Sequence, residues 1–117
     1  MHFNNKLQKA RSVRRSPAVR LREQLIALAG GHGTIAAHEE KSWASVTFAG
    51  TRHRVELEFV GDEAIEAGEC FIAFLPEHEF AIPRQLVADA AVVAADHRLS
   101  PAPLLTVTCE LLLLDED

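Results

Sequence analysis

Between His53 and Phe59 the chain alternates strictly, with His53, Val55, Leu57 and Phe59 interleaved with Arg54, Glu56 and Glu58. Successive side chains of a β-strand point to opposite faces, so this pattern describes a strand buried on one side and solvated on the other. Upstream, Ala44, Val46 and Phe48 alternate in the same way with Trp43, Ser45 and Thr47. The intervening Gly50-Thr51 has the chemistry of a type II′ turn, in which glycine supplies positive φ at the first central position. An antiparallel hairpin from about Trp43 to Phe59 is predicted. Pairing 48 with 53, 46 with 55 and 44 with 57 places Val46, Phe48, Val55 and Leu57 on one core face and Trp43 on the other.

The segments around this hairpin follow from local signals. Ser16-Pro17 combines a favoured N-cap with a proline at the first helical position. Ala18, Leu21, Leu25 and Leu28 then recur at helical spacing until Gly30-Gly31, which suits a left-handed stop, so a helix is predicted at 17–29. Thr34 to His38 reads as a short strand, and Glu39-Glu40-Lys41-Ser42 as a polar turn after it. A second helix is predicted at 62–75, opened by acidic residues and closed by Pro76, with Ala64, Ala67, Phe71, Phe74 and Leu75 sharing a side. Residues 84–98 carry both alanine-rich helical spacing and a Val87, Val92, Val93 strand signal, and the strand is preferred over the helix. Leu105, Val107, Cys109, Leu111 and Leu113 alternate with Thr106, Thr108 and Glu110 in a final strand at 104–114.

The expected fold is therefore two-layer α+β, a mostly antiparallel sheet of about five strands with two helices on one face, in the order α-β-β-β-α-β-β. A chain of 117 residues is long enough to bury a core as one domain without disulfides or metals. We expect a flexible basic arm at 1–15 and a single domain at 16–117. Seven basic residues and no acid lie in residues 1–22, whereas all 17 acids lie beyond them. Apolar runs such as Leu111 to Leu114 are far shorter than the roughly 20 residues a membrane helix needs. The basic start has no signal-like apolar stretch, so a cytoplasmic protein is expected. Cys70 and Cys109 stand apart, not in a Cys-x-x-Cys pair, and both read as small core hydrophobes.

No segment names a reaction. There is no Gly-x-Ser-x-Gly elbow or Walker-type loop, and Gly30-Gly31-His32-Gly33 follows a helix rather than a strand, as a dinucleotide fingerprint requires. His38-Glu39-Glu40, Glu77-His78-Glu79 and Asp96-His97 put histidines beside acids, but none has metal-ligand spacing, and neighbours on a strand face opposite ways. No cofactor and no metal site is expected. Ligand-binding candidates are Glu77, His78 and Glu79, in a loop after a helix, and His53, a polar group on an apolar face. Trp43, Leu112 and Leu114 are candidates for an association surface.

These features predict a noncatalytic binding or assembly module, homo-oligomeric, with a small-molecule ligand as a further possible partner. One alternative is a small enzyme using acid-base residues of the 77–79 loop. Another is nucleic-acid binding through the basic arm, which the acidic body and the scarcity of aromatics in the arm disfavour.

Overall fold

The computed structural model describes residues 16–116; the arm expected at 1–15 lies outside the described residues. The described elements are α1 (Pro17–Leu28), β1 (Thr34–Ala44), β2 (Ala49–Val60), α2 (Asp62–Phe74), a 3-10 turn (Leu75–Glu77), β3 (Gln85–Arg98) and β4 (Leu104–Asp115). The strands form one antiparallel sheet in the order β1-β2-β4-β3. The α+β class is as expected, but the sheet has four strands rather than five. The predicted strand at 34–38, the predicted turn at 39–42 and the predicted strand from Trp43 are one continuous strand.

The first helix has the ends its sequence calls for. The Val19 amide donates to the Ser16 hydroxyl at the start of α1, a cap worth about 1 kcal/mol. At the other end, the Gly31 amide donates to the Ile26 carbonyl and the Gly30 amide to the Ala27 carbonyl, with φ of 69° at Gly30. That crossed pair of bonds is a Schellman stop. In α2 the buried face is Ile65, Gly68 and Phe71. Phe74, expected on that face, is 58% exposed, because it lies one helical step off the line that meets the sheet.

Both helices cover the same face of the sheet. Leu21 and Leu25 of α1, Ile65 and Phe71 of α2, and Leu75 enclose Val55, Leu57 and Phe59 of β2 with Leu105, Val107, Cys109, Leu111 and Leu113 of β4. Each fully buried aliphatic or aromatic side chain here contributes about 1.5–3 kcal/mol. Of the two cysteines, Cys109 belongs to this core and Cys70 is exposed on the free side of α2, a correction to the expectation that both are buried. The Gln24 side chain ties α1 to the 78–83 loop, donating to the Ala81 carbonyl at 2.6 Å and accepting from the Ala81 amide at 3.1 Å.

The hairpin differs from its expected register. Trp43 pairs with Gly50 and Glu40 with His53, so the turn is Ser45 to Phe48. The Ser45 amide donates to the Phe48 carbonyl at 2.7 Å, and the Phe48 amide donates to the Ser45 hydroxyl at 3.1 Å. Val46 is consequently fully exposed and Phe48 is 54% exposed, not core residues. Gly50 serves the sheet instead of a turn, since a Cβ there would lie 2.1 Å from the Leu113 carbonyl oxygen of β4. The observed register also aligns Glu39, Arg54 and Glu110 across the outer face, where Arg54 and Glu110 form an ion pair. Opposite charges in adjacent strands support the pairing.

β3 departs from regular pairing twice, between Val87 and Asp89 and between Val92 and Ala94. The first bulge is what lets Val87, Ala90 and Val92 all face the core. Among the described residues no helix is long and apolar enough to cross a membrane.

Candidate functional site

At the end of the hairpin nearest its turn, the helix-facing side of the sheet becomes polar. His38 and Glu40 are two residues apart on β1 and share a face, and Glu40 lies directly opposite His53 on β2. Alternation continues the core line of Val55 and Leu57 outward to His53, which is 2% exposed. α1 completes the group by lowering Arg22 onto His38. The Arg22 Nη1 to His38 Nδ1 distance is 2.7 Å, and His38 Nε2 lies 2.9 Å from His53 Nδ1.

The proton positions follow from the donors available. A guanidinium only donates, so His38 Nδ1 accepts; its proton then sits on Nε2, which donates to His53 Nδ1. His53 carries its own proton on Nε2. The two rings are tilted by 52° with centroids 5.1 Å apart. Burial lowers the His38 pKa, and the Arg22 charge lowers it further. Burial is likewise the main cause of a lowered pKa at His53, followed by its histidine neighbour. Both imidazoles are thus held neutral, each using its ring lone pair as an acceptor, His38 Nδ1 from Arg22 and His53 Nδ1 from His38.

Space adjoins the pair on two sides. A groove of about 620 Å³ between α1 and β1 is lined by Arg22, Ile26, Ile35, Ala37 and His38. A smaller cavity of about 300 Å³ includes Ser16, Glu40, Thr51, His53, Gln85 and Asp115 in its wall.

The other candidates from the sequence fall elsewhere. Glu77 and Glu79 are exposed, and His78, half-buried, packs edge-on against Phe80 at 4.6 Å. The hydrogen bond of His53 goes to His38 and not to that loop. Trp43 and Leu114 lie in one row across the outer face, through Gly50, and Leu112 lies in the next row beside Arg52. Leu112 and Leu114 are only 8% and 9% exposed, so they form the floor of that surface. Sequence reading kept His53 as a candidate and set the His38-Glu39-Glu40 cluster aside. His38 and Glu40 meet His53 only through the hairpin register, and Arg22 joins them only through helix packing.

No protein-family model matches the chain, and no curated protein matches it. Among solved structures the fold is similar to a chain of the virion of a native gene transfer agent particle, with a TM-score of 0.54 and 15% identity. The similarity covers 80% of this chain and 84% of that one. At that identity the likeness is one of fold.

Proposed function

We propose that this protein is a noncatalytic assembly subunit that associates with further copies of itself through the sheet face opposite the helices. The observation that carries the reading is the apolar end of that face. Trp43, Leu114 and Leu86 share one row, Leu112 adjoins it, and Val46 and Phe48 lie in the hairpin turn at the same end of the sheet. Leu86, Val46 and Phe48 are all exposed. Contiguous apolar surface rimmed by charge is the common anatomy of association sites. Here the rim is Lys41, Arg52 and Asp89.

The fold likeness to a virion chain supports the same reading, since a virion is assembled from repeated protein subunits. A self-complementary patch on a two-fold axis is the simplest closed arrangement. Sedimentation equilibrium of the full chain tests it. Wild type should associate with rising concentration, and Phe48→Ser with Leu86→Glu should give a monomer whose circular dichroism is unchanged. A wild-type protein that stays monomeric at every concentration would overturn the proposal.

A further inference from the structure

The polar end of the helix-facing sheet surface has the donor set and spacing of a metal site. We propose that His38, Glu40 and His53 bind a divalent first-row transition ion of the Zn²⁺ type, with a fourth coordination position open to water. Each residue offers one ligand atom, and these atoms all lie within 4.8 Å of one another. Imidazole nitrogen with carboxylate oxygen is a donor set suited to such ions. Two nitrogens each bound at about 2.0–2.1 Å stand about 2.9–3.4 Å apart as their angle opens from square to tetrahedral. His38 Nε2 and His53 Nδ1 are already 2.9 Å apart. The histidine pair already has the spacing, and the Glu40 carboxylate lies within 4.8 Å of it.

What the ion replaces is the proton between the rings. His53 Nδ1 keeps its tautomer, and its lone pair is freed when the His38 Nε2 proton leaves. His38 must take its other neutral tautomer, so its proton passes from Nε2 to Nδ1, with no net proton released. Arg22 then loses its acceptor and withdraws into the groove that it lines. A ligating histidine turns its second N–H toward a carboxylate, carbonyl or water, and the space that Arg22 leaves beside His38 Nδ1 admits water. Arg22 is accordingly a competitor of the ion, both for His38 Nδ1 and by its charge. The ion reaches the site through the smaller cavity, whose wall includes Glu40 and His53. Glu40 is exposed, so its carboxylate approaches the ion from the solvent side. Three protein ligands leave one position open, unlike the closed four-ligand sphere of a structural zinc site.

The test uses the full chain, titrated with Zn²⁺ by calorimetry and with Co²⁺ by visible absorption, which reports coordination geometry. One ion per chain is expected. His38→Gln, His53→Gln and Glu40→Gln should each weaken binding by at least about tenfold, judged against the loss seen when even supporting residues are removed. Arg22→Ala should tighten it, while His78→Ala and His97→Ala should leave it unchanged. A thermal melt checks each variant. If buried His53→Gln fails to fold, then His38→Gln and Arg22→Ala decide the matter. Absence of saturable uptake by the folded wild type, or uptake that survives both His38→Gln and Glu40→Gln, would overturn the site.

Discussion

Gly68 of α2 rests on the Phe59 ring of β2 so closely that a Cβ at position 68 would lie 2.8 Å from Phe59 Cδ2 and 2.8 Å from Leu105 Cδ2. Two opposing effects meet at this glycine. Alanine would favour the helix by about 1 kcal/mol, while forcing a methyl into a packed core costs about 1–3 kcal/mol. Both contacts are to fully or nearly fully buried side chains, which have little room to yield, so the packing cost prevails. Gly68→Ala should lower the thermal midpoint by several degrees, a scale set by about 1 kcal/mol in a domain of this size. An unchanged or raised midpoint would mean that α2 stands farther from the sheet.

Cys109 gives a prediction at high pH. Its thiol is fully buried and donates to the Val55 carbonyl at 3.6 Å, and burial pushes its pKa from 9.0 up to about 12. The unfolded thiol ionises first, so the folded state holds a proton that the unfolded state has lost. Stability from this group is therefore intact below about pH 9 and declines between about 9 and 12. At pH 10 the loss is about 1.4 kcal/mol. Urea melts from pH 8 to 10.5 should show this slope in wild type and not in Cys109→Ala. Iodoacetamide under native conditions should modify exposed Cys70 and spare Cys109; alkylation of both at equal rates would contradict the burial.

The Gln24 clamp on Ala81 is open to hydrogen exchange. Gln24→Ala removes a donor and an acceptor at once, each worth about 0.5–1.5 kcal/mol net, and toward the lower figure for exposed groups. The Ala81 amide should exchange faster in the variant, with Val107 in the central strand unaffected. Gln24→Glu keeps only the acceptor and sets a carboxylate against the Ala81 carbonyl, so it should restore little. If Ala81 protection is the same in all three proteins, the loop is held by Phe80 and Ile82 alone.

What the sequence made legible was parity, not pairing. The alternation of Val55, Leu57 and Phe59 decides by itself that they face the core, where all three are buried. Where their partners lie depends on the turn, and Gly50-Thr51 resembles a turn for a reason that only tertiary structure reveals: the β4 backbone passes too close for any side chain at Gly50. His53 meets Glu40 instead of Phe48, and since that slip is an even number of residues, every inward residue of β2 stays inward. A wrong register was thus invisible to the burial test. The polar stretch Glu39 to Ser42 misled for a related reason, since an edge strand with one solvated face tolerates charge throughout. The same displacement hid the candidate site, because Glu40 reaches His53 only in the observed pairing.

The two bulges of β3 bear on how copies of this chain can coexist at high density. A flat outer strand exposes an evenly spaced ladder of amides and carbonyls on which another chain can crystallise as a fibre. Interrupting that ladder at Ala88 and again at Val93 breaks its periodicity and increases its local twist. β3 is the longest strand of the sheet, and the one that would polymerise most readily if regular. Crowded molecules are thereby steered away from running their sheets together and left to meet face against face.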